Sequence, residues 1–351
     1  MGNTAILDNN LVVDIAQQLN IRLPSGWEVT AGISSEGRSL IDATLIIRAP
    51  DGVASTVLVA AKQRLEPKDV DHIAITRPPQ VDQPLLVAAP FLSPRAQERL
   101  SRSGYAYADL TGNIRLALIK PGLVIQTTGA TQNPEPTPRD RKSLKGPKAG
   151  RLIRALSDFR PPLGLRELAK RAGVDAGYAS RVVEFLNREA LVVRATRGPI
   201  TAVDWSALLR RWSQEYTPME RRRVAMYLAP RGLASVIEKL RAMSGDYVVS
   251  GSWAASQFAP VAATRLLLLY ANRPTAIARD LEIKPTDAGA NIALATPFDP
   301  VVFERTSKKN GITVAALSQV AADLMTSPGR GPNEAEALMA WMSEHENVWR
   351  A

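Results

Sequence analysis

The residues between Ala176 and Glu184 have the types and spacing of a surface that reads nucleic acid. With Ala179, Val182, Val183 and Leu186 turned inward at helical spacing, Ala176, Gly177, Tyr178, Ser180, Arg181 and Glu184 face outward. Ala176 and Gly177 are small enough to let a helix enter a major groove ~12 Å wide. Arg181 can reach guanine O6/N7 or a phosphate, and Tyr178 and Ser180 can donate to phosphate. Arg194 and Arg197, in a following hairpin, suit the neighbouring minor groove or the backbone. Arg166, Lys145 and Lys148 complete the expected DNA-contacting set.

The elements that position these residues can be read from the same segment. Residues 152–159 suit an amphipathic helix, ended by Arg160-Pro161-Pro162. Residues 165–172 suit a second. Ala169 supplies the small residue that two crossing helices need, and Gly173 the positive φ of the turn. Asp175 can cap a third helix running to about Arg188. Leu191-Val192-Val193, the Gly198-Pro199 turn and residues 200–203 form the hairpin. The order is that of a winged helix-turn-helix.

Charge supports this placement. The chain has 351 residues and a net charge of +10. Residues 1–138 carry −1, residues 139–241 carry +13 and residues 242–351 carry −2. The basic excess therefore sits in the middle third, as expected of a polyanion-binding module between two near-neutral ones.

Two other patterns point to chemistry. Asp42, with Ala60-Ala61-Lys62 on a partner strand, has the spacing of the PD-(D/E)xK nuclease core, in which an Asp and a Glu hold a divalent metal and the Lys stabilises the attacked phosphate. The Glu position is Ala60, which cannot ligate a metal. An active nuclease would have to recruit another carboxylate, such as Asp109 or Glu66; a structural Asp42–Lys62 ion pair is the simpler reading. Ser250-Gly251-Ser252 after a strand resembles the Gly-Ser turn of minimal nucleotidyltransferases. The next strand, residues 265–270, lacks the two alternate carboxylates that those enzymes need, so a tight turn into a core helix is favoured over nucleotide binding.

Composition excludes more. The chain has no cysteine, which removes disulfides, thiolate metal sites and a cysteine nucleophile. The two histidines, His72 and His345, lie far apart and carry no assignable role. No signal peptide is visible, and the longest apolar runs are too short to span a bilayer. A non-enzymatic cytoplasmic protein without cofactor, metal or membrane partner is expected.

Further domains follow from pattern. Residues 1–130 read as a restriction-endonuclease-like α/β domain. Its helix contains Leu11, Val12, Ile15 and Leu19, with Asp8 as a cap. Strands are expected at 40–47, 56–62, 85–89, 105–109 and 113–119, and a short helix at 94–103 behind Ser93. Residues 131–149 read as a Pro-rich, then basic, linker. The winged helix occupies 150–204. Residues 205–351 read as a nucleotidyltransferase-like α/β domain behind a helical connector. In it, 205–245 look helical, strands are expected near 247–249, 265–270 and 291–295, and helices at 314–325 and 332–345. The fold class is thus α/β (α+β), multidomain.

Three stretches together resemble a known family. Residues 85–94 (Leu-Leu-Val-Ala-Ala-Pro-Phe-Leu-Ser-Pro) lead to 103–116, containing Asp109-Leu110-Thr111-Gly112-Asn113. The winged helix follows, and Ser318-Gln319-Val320-Ala321-Ala322-Asp323-Leu324 then precedes Ser327-Pro328-Gly329-Arg330-Gly331. The layout is similar to the AbiEi-like regulators and antitoxins of type IV toxin–antitoxin systems. The resemblance implies an autorepressor that binds an operator and opposes a toxin-like protein partner. The extra N-terminal domain departs from that pattern and makes a stand-alone regulator the first reading. Its partner is double-stranded DNA, and a homodimer on a two-fold site is the usual arrangement, although no heptad or dimer helix is visible.

Overall fold

A computed structural model describes residues 2–33, 41–76, 83–136, 143–196, 198–217, 224–243 and 247–351. The chain is mixed α/β and divides into two compact units: Met1–Arg141 with Arg188–Ala190, and Lys142–Asn187 with Leu191–Ala351.

The N-terminal unit is built on α1 (Gly2–Arg22), β1 (Glu28–Ile33), β2 (Ala43–Arg48), β3 (Ala54–Ala61), α2 (Asp69–Thr76), β4 (Leu85–Ala89), α3 (Pro94–Arg102), β5 (Ala106–Asp109), β6 (Ile114–Leu118) and β7 (Leu123–Thr127). Its seven strands lie in chain order in one sheet. The β3–β4 and β4–β5 pairs are parallel, joined through α2 and α3, and the others are antiparallel. β4 is buried on both faces because it is central and parallel, which explains its uninterrupted apolar run. Leu86 and Ala88 pack in the core that includes Leu11, Ile15 and Leu19 of α1, whereas Leu85, Val87 and Ala89 pack with Val70, Ile73, Ala96 and Leu100 of α2 and α3. The result is helix, sheet, helix. α1 begins well before the expected cap, so Asp8 lies inside the helix. Ser93 caps α3 as expected, accepting from the Ala96 N–H at 3.2 Å. β1, α2 and β7 have no counterpart in the sequence reading.

The C-terminal unit opens with α4 (Pro147–Asp158), α5 (Leu165–Arg171), α6 (Ala176–Arg188), β8 (Val192–Arg194), β9 (Ile200–Val203) and α7 (Trp205–Ser213). α4 starts inside the expected linker because Pro147 favours the first helical position. Then come β10 (Val224–Leu228), α8 (Gly232–Ala242), β11 (Tyr247–Ser250), α9 (Gly251–Ser256), β12 (Leu267–Ala271), α10 (Pro274–Asp280), β13 (Lys284–Pro285), β14 (Ile292–Ala295), a 3-10 turn (Pro300–Phe303), β15 (Ser307–Lys309), β16 (Ile312–Val314), α11 (Leu317–Met325), α12 (Gly331–Glu344) and α13 (Glu346–Trp349).

Seven of these strands form a mixed sheet in the order β13-β10-β14-β12-β11-β16-β15. The region 205–245 is thus not helical throughout. Residues 224–228 are a strand paired with β14 and β13, because a five-residue apolar run carries no period that separates strand from helix and the sheet pairing decides. Val314 likewise ends a strand instead of starting a helix. The expected break at residue 205 does not divide compact units. Leu152, Leu156, Val183 and Leu186 share one core with Trp212, Val320, Leu338 and Met342. Among the described residues, no helix is long and apolar enough to cross a membrane.

Candidate nucleic-acid interface

α5, the turn and α6 are closed by backbone hydrogen bonds that only a glycine accommodates easily. Gly173 has φ +58°, its N–H donates to Lys170 O at 3.2 Å, and the Val174 N–H donates to Ala169 O at 3.0 Å. This pair of bonds is the Schellman ending of a helix. Asp175 then caps α6, accepting from the Tyr178 N–H at 2.7 Å. Ala179, Val182, Val183 and Leu186 are buried as their spacing predicts, and Phe185 joins them.

The outward face of α6 carries the residues expected there. Ala176, Gly177, Arg181 and Glu184 are exposed, and Tyr178 and Ser180 are half-buried. The Arg181 guanidinium lies back toward the helix N-terminus, with Nη1 3.6 Å from where a Cβ on Gly177 would be. Lys148, on the first turn of α4, places its ammonium 4.0 Å from the Asp175 carboxylate. Burial raises the Tyr178 hydroxyl above its ordinary range, with the Arg181 charge opposing and the Asp175 charge adding. The phenol therefore stays a donor at neutral pH. Positive charge, small side chains and a hydroxyl donor thus meet at the N-terminal end of one helix, whose dipole favours negative charge and where the Asp175 carboxylate already takes one N–H.

The other expected residues fare unequally. Arg166 is exposed on α5, and Lys145 is exposed just before α4. Arg194 is half-buried and turned to its own hairpin: its Nε donates to Gly198 O at 2.9 Å. It braces the β8–β9 hairpin more than it reaches outward. Arg197 lies outside the described residues. The sequence reading missed Lys170, which is exposed one helical turn after Arg166 on the same face of α5. It also missed Arg151, whose Nη1 donates to Gly173 O at 3.0 Å and so holds the turn before α6. The four-residue spacing of Arg166 and Lys170 is visible in the sequence; the Arg151 contact spans 22 residues and is not.

The N-terminal hairpin has the geometry of an ion pair. Asp42 accepts from the Ala61 N–H at 2.9 Å and stands 3.8 Å from the Lys62 ammonium. Ala60 is fully buried against α2 and α3. Asp109 cannot move into a metal site without unmaking its loop, since five donors fill its two oxygens. Glu66 is 3.0 Å from the Lys68 ammonium. Among the described residues, no group of three or more histidines or carboxylates is placed to hold a metal.

At the Gly-Ser turn, Gly251 has φ +64°, and a Cβ there would lie 3.2 Å from the Leu268 Cβ. The turn therefore presses on β12. Both flanking hydroxyls are spent on carboxylates: Ser250 donates to Asp323 at 2.5 Å and Ser252 to Glu334 at 2.5 Å. Neither hydroxyl is therefore free to donate to a phosphate brought to this turn. Behind it lies a buried network absent from the sequence reading. Asp323 accepts at Oδ1 from Tyr216, Tyr270 and Gln319, each at 2.9 Å. Gln319 in turn accepts from Arg154 of α4 at 2.9 Å.

No family model, curated protein or solved structure matches the chain.

Proposed function

We propose that the protein is a sequence-specific, double-stranded-DNA-binding transcriptional regulator without enzymatic activity. On this reading α4–α6 with the β8–β9 hairpin are a winged helix-turn-helix, with α6 in the major groove and the hairpin on the adjacent groove. The N-terminal unit is a restriction-endonuclease-like domain that has lost a metal ligand, and the β10–β16 region is a nucleotidyltransferase-like domain whose turn has both hydroxyls engaged by carboxylates. The observation that carries the proposal is the exposed N-terminal end of α6, where Arg181 lies beside Gly177 with Lys148 nearby, within the segment of net charge +13. The resemblance to the AbiEi-like regulators is consistent with autorepression in a cytoplasmic setting, with a homodimer and a toxin-like protein as further partners.

The test uses the full chain, the tightest duplex that it selects from a random-sequence pool, and a scrambled duplex of equal composition. Wild-type affinity falls with salt at a slope implying roughly 6–10 neutralised phosphates. Arg181→Ala lowers the ratio of selected to scrambled affinity by about 5- to 150-fold, the worth of one bidentate base contact. Salt-independent association, or a ratio that Arg181→Ala leaves unchanged, sinks the proposal.

A further inference from the structure

The contact that holds the turn before α6 does not end within the three helices. Arg151 donates through Nη1 to Gly173 O at 3.0 Å, and its Nε stands 3.5 Å from Asp299 Oδ2. Asp299 is almost fully buried, and its other oxygen accepts from the Val301 N–H at 3.0 Å. It sits between β14 and the 3-10 turn, on a segment that follows one face of α4. A Cβ on Gly150 would be 2.7 Å from the Phe298 ring. Arg154, one turn beyond Gly150, donates to Val301 O at 3.3 Å and Glu304 O at 3.3 Å. Arg151 is therefore hydrogen-bonded at one end to the carbonyl of the one residue with positive φ between α5 and α6, and ion-paired at the other, without a hydrogen bond from Nε, to a carboxylate on the large sheet's own connection.

We infer that Asp299 and Arg151 are positioning residues for α6, so that the sheet region behind the three helices is part of the DNA-reading head. Asp299 directs the Arg151 guanidinium, the guanidinium holds the Gly173 carbonyl, and the turn sets the angle at which Arg181 leaves the surface. This rests on the reading role proposed for α6. A simpler role for Arg151, as a half-exposed cation that touches phosphate, predicts the opposite result, because Asp299 would then only weaken its charge.

The experiment measures Asp299→Asn, Arg151→Lys and Arg181→Ala in the full chain on the selected and scrambled duplexes, at two salt concentrations. Asn is isosteric and keeps the acceptor for the Val301 N–H while removing the charge that orients Arg151. Positioning predicts that Asp299→Asn lowers the selected-to-scrambled ratio about fivefold, toward the lower end of one bidentate contact, while scrambled binding is unchanged or tighter. Arg151→Lys keeps the charge but cannot span both partners with one ammonium, so it lowers the ratio with an unchanged salt slope. If Asp299→Asn tightens both duplexes equally and Arg151→Lys leaves the ratio intact, Arg151 is a phosphate contact and the inference is wrong. A fall in thermal midpoint with an unchanged ratio also overturns it, since the contact would then serve stability alone. A ratio that Arg181→Ala does not change is a separate failure, that of α6 as the reading helix.

Discussion

Asp109 in the N-terminal unit and Asp323 in the C-terminal unit are both fully buried carboxylates, but their donors differ in kind. Asp109 Oδ1 accepts from the N–H groups of Thr111 and Asn113 and from the Thr111 hydroxyl, and Oδ2 from the Leu92 N–H and Asn113 Nδ2. Three of the five donors are backbone, and all but Leu92 lie within four residues. Asp323 takes no donor from backbone in this set: two phenols, one amide and one hydroxyl converge on it from 4 to 107 residues away. A backbone N–H cannot reverse its polarity, whereas a hydroxyl can rotate and accept. The first carboxylate therefore organises a loop that tolerates only an anion-like acceptor. The second closes a side-chain network that can change its pattern of donors.

The difference can be broken most forcefully at Asp323. In Asp323→Ala four side-chain donors lose their acceptor in a buried site, and the C-terminal unit should lose about 3 kcal/mol or more. Urea unfolding followed by tryptophan fluorescence reads this, since Trp205, Trp212, Trp253, Trp341 and Trp349 all lie in that unit and only Trp27 lies outside it. A loss below about 1 kcal/mol would mean that the donors find other partners, and the network would then be no more than a packing contact.

Asp109→Asn comes next. Either orientation of the new amide sets its NH2 against at least one backbone N–H. Asn113 cannot compensate, because its Oδ1 accepts from the Gly129 N–H at 2.8 Å while Nδ2 donates to Ala130 O at 3.0 Å. A loss of about 2 kcal/mol is expected, seen as faster hydrogen exchange at the Leu92 and Asn113 amides. Wild-type protection at both would show that the loop does not depend on an anionic acceptor.

Asp323→Asn should have the smallest effect. Asn Oδ1 keeps the three donors of the native Oδ1, and Asn Nδ2 donates to the Ser250 oxygen. A change within about 1 kcal/mol is expected. Its pH dependence has a definite sign. Burial, the largest cause, raises the Asp323 pKa above the ordinary value of 3.8, with the hydrogen bonds from Ser250, Tyr216, Tyr270 and Gln319 opposing it. A carboxyl with a raised folded pKa contributes most below that ordinary value and loses the contribution as pH climbs above it. Tyr216 and Tyr270 are themselves raised well above their ordinary range and do not titrate in this window. Wild type should thus lose stability relative to Asp323→Asn as pH rises from 3.8. A difference that moves the other way would show the hydrogen bonds outweighing burial.

The same distinction explains how much was legible beforehand. The Asp109-Leu110-Thr111-Gly112-Asn113 run is a local motif, and its turn and flanking strands were read at nearly their observed bounds. The segments of α4–α6 and the β8–β9 hairpin were read for the same reason: caps, a positive-φ glycine and apolar spacing are all local signals. Residues 224–228 failed because a short apolar run has no decisive period, and β1 and β7 were missed although β7 alternates buried and exposed positions. Among the DNA-contacting candidates, exposure of Arg166 and Arg181 followed from helical phase, and that of Lys145 and Lys148 from the basic stretch read as linker. The turning of Arg194 onto Gly198 O depended on a hairpin conformation that residue type does not encode.

Composition, charge distribution and local periodicity alone determined that this is a mixed α/β chain with its basic excess in residues 139–241. They also placed the small residues and Arg181 on one exposed helix face. The tertiary structure alone decided that residues 142–187 and 191–351 form one compact unit. It also decided that Ser250 faces Asp323, and that Arg151 links Asp299 to the turn at Gly173. The physical reason is range. Caps, turns and helix faces depend on neighbours a few residues away, whereas a buried polar group is satisfied by whichever donors the fold brings to it.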